Sequence, residues 1–201
     1  MKRTFVFITA ILLLLPLLAA CNRSSGTDYS ALEKEDLASA GYRSGNEAAD
    51  FTLYYPNDWE LADNSGIVMI RKDVDDSEIT ARYASISAIA FALTETSQGA
   101  RDYWNSYKKD IGEAFKDFKM IGETSAAEGE EQKEGEEITL GGTVALKVRY
   151  SASITGSTYL YDQVICCRNA YVYIITLTST TDDYDSVKDA LDTVVKYFEF
   201  N

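Results

Sequence analysis

Three consecutive segments near the end of the chain constrain the fold more than any other feature. Residues 144–154, 158–168 and 171–179 each alternate between apolar and polar side chains. This pattern is typical of half-buried β-strands, because successive strand residues point to opposite faces. The links between the segments, Gly156-Ser157 and Asn169-Ala170, are short enough to require antiparallel pairing. The sequence therefore predicts a three-stranded antiparallel meander.

Other alternating segments precede the meander and predict further strands. They lie at residues 51–55, 59–62, 67–71, 81–93 and 138–140. Within the longest of them, five side chains are predicted to share one face of the sheet, because they occupy alternate positions: Tyr83, Ser85, Ser87, Ile89 and Phe91.

Two other segments have a helical period. Between residues 98 and 118, aromatic and aliphatic side chains recur every three or four positions, which predicts an amphipathic helix with Thr96 or Ser97 as its N-cap. Residues 183–197 show the same period, with Asp182 or Asp183 as the cap. Strands interrupted by two such helices predict an α+β fold, in which a central antiparallel sheet is flanked by helices.

The first 21 residues predict where the protein works. Lys2 and Arg3 precede an apolar run that ends at Ala20, the layout of a secretory signal peptide. The run is shorter than the ~20 residues that span a bilayer, so a permanent membrane-spanning anchor is the less favoured alternative. Residues 18–21, LAAC, resemble the bacterial lipobox. The resemblance implies that Cys21 is lipidated and that the mature protein is extracytoplasmic, anchored to a bacterial membrane.

Composition divides the rest of the chain into a tether and a domain. Residues 22–30 are rich in Ser, Gly, Asn, Thr and Asp, which bury little apolar surface. The remaining length suits one domain with a sizeable core. The predicted organisation is a signal peptide at 1–20, a lipidated cysteine with a flexible stalk at 21–46, and a single α+β domain at 47–201. Within the domain, the acidic residues 126–137 predict a mobile loop.

Charge and composition exclude several classes of function. The chain has 19 basic and 32 acidic residues, a net charge of −13, and no histidine. Such a field repels nucleic acid, and the lack of histidine removes the usual general base and zinc ligand. We predict a non-enzymatic binding or accessory domain without a cofactor or catalytic residues. Its partners would be the membrane, through lipid on Cys21, and a protein of the cell envelope. A cell-surface hydrolase that uses carboxylates is the alternative.

One acidic cluster is a candidate metal site. Asp73, Asp75, Asp76 and Glu78 lie in a predicted loop, and Ca²⁺ prefers oxygen ligands. An EF-hand loop needs Gly at its sixth position, which is Glu78 when the count starts at Asp73. A solvated acidic loop without a metal is therefore the favoured interpretation.

Three other side chains attract attention but have structural interpretations. Cys166 and Cys167 are neighbours in a predicted strand, so they point to opposite faces and are poorly placed for a disulfide with each other. Buried free thiols are favoured over a vicinal redox disulfide. We predict that Trp59 packs in the core, the alternative being an exposed ligand platform.

The aromatic and glycine positions resemble those of one known family. The segment FTLYYPNDWEL at residues 51–61, the Gly141-Gly142 turn, YVYIITLTS and the closing YFEF are similar in kind and order to those of PsbP-like domains. The resemblance covers residues 51–200 and implies an antiparallel sheet between helices. It implies little about activity, because family members act mostly as extrinsic or scaffold proteins with different partners.

Overall fold

The computed structural model describes residues 27–74, 83–122, 134–154 and 156–201, and the structural statements below concern these residues. A small sheet has the strand order β1-β2-β11. Its strands are β1 (Leu37–Tyr42), β2 (Phe51–Pro56) and β11 (Glu199–Phe200). The described ranges contain two α-helices, α1 (Ala100–Ala114) and α2 (Tyr184–Tyr197).

A larger sheet has the order β3-β4-β5-β10-β9-β8-β6, and β7 also pairs with β8. Its strands are β3 (Glu60–Asp63), β4 (Val68–Asp73), β5 (Tyr83–Ala92), β6 (Lys116–Met120), β7 (Glu136–Leu140), β8 (Thr143–Ile154), β9 (Ser157–Arg168) and β10 (Tyr171–Thr180). One face packs against the small sheet and α2, and the other packs against α1. The predicted α+β fold is confirmed.

The meander has the predicted strands and pairing. β8 pairs with β9, and β9 with β10, antiparallel along their lengths. At the second turn, Asn169 and Ala170 both have positive φ values, of 51° and 66°. Two successive positive φ values are characteristic of a type I′ turn, whose twist matches that of the paired strands. The short link therefore fixes the register of β9 and β10, although Ala170 adopts a conformation that L-residues avoid.

Helix α1 is shorter than predicted at both ends. Its N-cap is Gly99, so the prediction of Thr96 or Ser97 is wrong. At the other end Phe115 is already extended, and Asp117 has a φ of 55°. The chain thus reverses into β6, and Phe118 reaches the aromatic cluster under α1 from a strand. The helical period in the sequence extends beyond the end of α1, because α1 and β6 both bury side chains in this cluster. Helix α2 begins as predicted, with Asp183 at the N-cap position.

The prediction of a flexible stalk is wrong for residues 27–46. Strand β1 pairs with β2 from Leu37 to Tyr42, and Tyr29 is only 1% exposed. The composition of this segment did not predict its order, because the segment has no continuous apolar stripe. A few aromatic side chains and a row of backbone hydrogen bonds hold it in place instead. The folded domain therefore includes residues from Thr27 onward. The predicted signal peptide and Cys21 lie outside the described residues.

A group of polar contacts fastens this N-terminal segment to the domain. The Asp58 carboxylate accepts hydrogen bonds from Thr27 Oγ1 (2.9 Å), Tyr29 OH (3.1 Å) and Lys72 Nζ (2.7 Å). The Trp59 indole donates to Tyr29 OH at 3.3 Å. We call these five residues the N-terminal latch. Because they come from the N-terminal segment, the β2–β3 turn and β4, the latch ties three parts of the chain together.

The latch should make the attachment of the N-terminal segment sensitive to acid. Burial acts to raise the pKa of Asp58, but the hydrogen bonds from Lys72, Thr27 and Tyr29 outweigh it and lower the pKa. A carboxyl with a lowered folded-state pKa stabilises the fold above its unfolded pKa of about 3.9. That stabilisation is lost as the pH falls through the folded-state pKa. We expect the protection factors of the amides in residues 37–42, which correct exchange rates for their intrinsic pH dependence, to fall below about pH 4.

The matched controls for this acid response are two single substitutions. Asp58→Asn should remove most of the pH dependence of these protection factors. Asp63→Asn should keep it, because Asp63 also has a lowered pKa, caused by hydrogen bonds from Ser65, but lies outside the latch. The same acid response in wild type and Asp58→Asn would contradict the role given to the latch.

Within the described ranges, neither helix has the length and apolar character needed to cross a membrane.

Candidate functional site

The α1 side of the large sheet is only partly covered. Helix α1 has its main contacts with β6, β8 and β9, where Trp104 is fully buried. The same side of β4, β5 and β10 carries side chains that are half-buried, and Phe91 is 49% exposed. We call this surface the open face; it consists of Met69, Ser85, Ser87, Ile89, Phe91, Thr176 and Thr178.

One end of the open face is apolar. The strand register aligns Phe91 with Val172 and Ile89 with Ile174, directly across the β5–β10 pair. Val172 and Ile174 are buried, so they form a floor from which Phe91 projects. An exposed aromatic ring over an apolar floor is the kind of feature that recurs at interaction sites.

The other end of the open face carries hydroxyl groups. Two successive rows of side chains cross the sheet, from β9 through β10 to β5. Their members are Gln163–Thr176–Ser87 and Tyr161–Thr178–Ser85. Gln163 Nε2 donates to Thr176 Oγ1 at 3.0 Å. Each row therefore begins beneath α1 and continues into the open face.

Two polar atoms at the boundary with α1 lack a protein partner. Gln163 is 3% exposed and Tyr161 is 8% exposed. Among the described residues, Gln163 Oε1 and the Tyr161 hydroxyl have no hydrogen-bond partner. Unsatisfied buried polar atoms are uncommon in native proteins and call for a bound water or ligand group. This boundary can therefore accept additional hydrogen bonds.

The open face is electrically neutral in a strongly acidic protein. Its seven side chains are uncharged, and the first charged neighbour along the β5–β4 register is Arg71, which pairs with Glu60 at 3.5 Å. Tyr103 and Tyr107 of α1 pack at the border of the apolar cluster that lies between α1 and the sheet. Burial raises the pKa of both phenols, so they also remain neutral at physiological pH. Depletion of charge is a property of interface cores.

The structure leaves the acidic metal candidate untested. Asp73 is exposed at the end of β4, whereas Asp75, Asp76 and Glu78 lie outside the described residues. Within the part of the chain that is described, no group of three or more His, Cys, Asp or Glu side chains is arranged to hold a metal ion.

The two cysteines have the predicted arrangement. Both are free thiols, with Cys166 in the cluster on the α2 side and Cys167 beside the cluster under α1. Burial raises the pKa of Cys166 to about 12 and that of Cys167 to about 11. Since the thiolate is the reactive form, both are poor nucleophiles at neutral pH. Trp59, only 3% exposed, is a core residue as predicted.

Sequence reasoning missed a buried ion pair under α2. Asp162 is 1% exposed, and both of its oxygens accept hydrogen bonds from the Arg149 guanidinium. Tyr184 OH donates to the same carboxylate at 2.7 Å. The signal for this pair was a charged residue inside an otherwise apolar strand, in the segment LYDQVICC.

The ion pair gives no support to the hydrolase alternative. A recess of about 300 Å³ contains both Asp162 and Glu136, with Lys147 and Arg149. However, a general base or nucleophile needs a carboxylate oxygen that is free to reach a substrate. Both Asp162 oxygens already accept from Arg149, and one of them also accepts from Tyr184. We therefore interpret Asp162 as the residue that fixes the start of α2 on the sheet.

Comparison with known proteins bears on the fold. No family model and no curated protein matches the chain. Among solved structures, it is similar to LpqN of Mycobacterium tuberculosis, described as involved in cell envelope biogenesis, with 18% identity and a TM-score of 0.52 over 81% of this chain and 90% of that one. It is also similar to cyanobacterial PsbP (CyanoP) of Synechocystis sp. PCC 6803, with 16% identity and a TM-score of 0.52 over 89% and 100%. The chain has a PsbP-like α+β fold. At these identities the likeness concerns the fold alone.

Proposed function

We propose that this protein is a lipid-anchored, extracytoplasmic domain that binds another protein of the cell envelope without catalysing a reaction. The observation that carries the proposal is the open face, an uncharged surface with an exposed aromatic ring in a chain of net charge −13. A surface without charge that includes an exposed aromatic ring has the composition of an interface core, which is depleted in charged residues and enriched in aromatic ones.

The shape of the open face favours a protein over a small molecule. Small-molecule sites are concave and enclose most of their ligand. Among the described residues, recesses of about 300, 400 and 740 Å³ lie at the β6–β7 gap, at the start of α1 and at the β8–β9 hairpin, and none of these three is lined by a residue of the open face. A sheet face with an apolar end and a hydroxyl-rich end matches the mixture of apolar core and polar rim at protein interfaces.

The location is supported by the N-terminal sequence and by one relative in fold. The lipobox-like residues 18–21 follow an apolar run. Several acyl chains on Cys21 would hold the domain firmly, since each buried CH₂ contributes about 0.8 kcal/mol. LpqN, the similar mycobacterial protein, is described as acting in cell envelope biogenesis.

Replacement of the proposed lipidated residue tests the location. We expect Cys21→Ala to release the protein from the membrane fraction or to leave an unprocessed precursor, because the acyl acceptor is gone. Fractionation and intact-mass measurement distinguish these products. Cys167→Ala is the matched control and should leave both the mass of the lipid and the partitioning unchanged. Normal processing and partitioning of Cys21→Ala would exclude lipidation at this residue.

A pair of exposed apolar residues tests the binding face. Phe91 and Leu61 are 49% and 44% exposed. Leu61 pairs with Ile70, so it lies on the opposite side of the sheet from Phe91. We expect Phe91→Asp to weaken partner binding at least about tenfold, as loss of an aromatic anchor costs about 2 kcal/mol or more. Leu61→Asp should bind as wild type does.

The binding comparison uses a defined complex. The partner is first captured from native membranes with the wild-type protein, then purified and titrated against each variant, and thermal melting checks that both variants fold. Equal binding by wild type and Phe91→Asp, or selective loss in Leu61→Asp, would contradict the assignment of the open face.

A further inference from the structure

We infer that the lipid anchor fixes which end of the domain faces the membrane, so that the apolar end of the open face points away from it. This inference rests on the proposed lipidation of Cys21. It concerns the direction from which a partner reaches the open face.

The tether between lipid and fold is short. The N-terminal latch begins at Thr27, six positions after Cys21. A chain extends at most about 3.6 Å per residue, so Thr27 stays within about 22 Å of the lipidated cysteine whatever conformation the linker adopts. A stalk through residue 46 would have allowed more than three times that reach.

The latch lies at one end of the large sheet. Thr27 and Lys72 share the Asp58 carboxylate. Lys72 of β4 pairs with Ala84 of β5. The next pair, Asp73 with Tyr83, is the last one between these two strands. The point where the chain leaves the domain toward the lipid is therefore beside the start of β5. We call this end the attachment pole.

The apolar part of the open face lies at the other end of the same strand. Phe91 is seven residues beyond Ala84 along β5, which corresponds to about 24 Å at 3.4 Å per residue. Thr94, exposed just after β5, is farther still. We call this end the distal pole. The acidic domain is also repelled by anionic head groups, which disfavours lying flat on the surface.

The orientation has a consequence for the partner. A partner protein reaches Phe91 from the extracytoplasmic space, because this end of the open face points away from the membrane. The hydroxyl-rich end at Ser85 and Thr178 lies nearer the membrane. We therefore expect a partner that covers the whole open face either to extend outward from the same membrane, alongside this domain, or to approach from the extracytoplasmic space.

Energy transfer to labelled lipids tests the orientation. The full-length lipidated protein is inserted into vesicles of phosphatidylcholine and the anionic lipid phosphatidylglycerol that contain acceptor-labelled head groups. A donor is attached at Asp73→Cys, on the attachment pole, or at Thr94→Cys, on the distal pole. Cys166 and Cys167 react slowly because burial raises the pKa of both thiols, and wild type measures the remaining background.

We expect transfer to be several-fold stronger from position 73 than from position 94. A Gly-Ser spacer of about 20 residues, inserted between Gly26 and Thr27, should bring the two signals close together, since a flexible linker of that length spans about 25 Å on average and far more when extended. Equal transfer without the spacer, or stronger transfer from position 94, would overturn the orientation. Failure of the protein to attach to vesicles would overturn lipidation instead.

Discussion

Trp59→Ala should lower the free energy of unfolding by about 3–5 kcal/mol, the usual cost of emptying a large aromatic site in a core. The Trp59 ring is 3% exposed and meets the Tyr29 ring edge-on at a centroid distance of 6.5 Å. Its indole nitrogen also donates to Tyr29 OH. The substitution thus removes both core volume and one contact of the N-terminal latch. Denaturant unfolding followed by circular dichroism measures the effect.

A more conservative change separates the two contributions. Trp59→Phe keeps an aromatic ring but loses the indole hydrogen bond, and we expect it to cost less than Trp59→Ala. The alternative role for Trp59 was an exposed ligand platform. If Trp59→Ala hardly changed the melting temperature while partner binding disappeared, the core assignment would be wrong.

Asp162→Ala should cost about 2–3 kcal/mol of stability. Breaking a buried ion pair generally costs about 3–5 kcal/mol, because the remaining charge stays buried without a partner. The Arg149 side chain is 39% exposed and can partly rehydrate, so the expected loss is smaller. The Tyr184 hydroxyl would also lose its acceptor at the start of α2.

A carboxylate that α2 itself supplies to an ion pair with β8 is the matched control. Asp192 of α2 contacts Lys147 of β8, but its side chain is 62% exposed. Asp192→Ala should therefore change stability by less than about 1 kcal/mol. Similar losses in Asp162→Ala and Asp192→Ala would show that burial of Asp162 is not what makes its ion pair important.

The sequence predicted the meander well because its strands carry a clear signal. The segments that form β8, β9 and β10 are rich in β-branched and aromatic residues. The turns between them are short, so contacts between neighbouring strands decide the structure. Alternation correctly placed Ser85, Ser87, Ile89 and Phe91 on one face of β5. Adjacent cysteines on opposite faces of β9 follow from the same two-residue period.

The features that sequence reasoning missed depend on contacts between distant parts of the chain. Tyr29 is buried because Asp58, Trp59 and Lys72 meet it from positions roughly 30 to 40 residues away. The end of α1 was misplaced because Phe118 serves the same apolar cluster from β6. Helix α1 covers β8 and β9 but leaves β5 and β10 partly open. Packing between distant segments sets this position of the helix, and no local sequence pattern predicts it.

Site-specific crosslinking in intact cells tests the central claim most directly. A photo-reactive amino acid is placed at Phe91, on the open face, or at Leu61, which has similar exposure on the opposite side of the sheet. We predict a discrete crosslinked adduct with one envelope protein from position 91, lost when Ser87 is also changed to Lys, and no such adduct from position 61. The same adducts from both positions, or none from position 91 while position 61 reacts, would contradict the assignment of the open face as the binding surface.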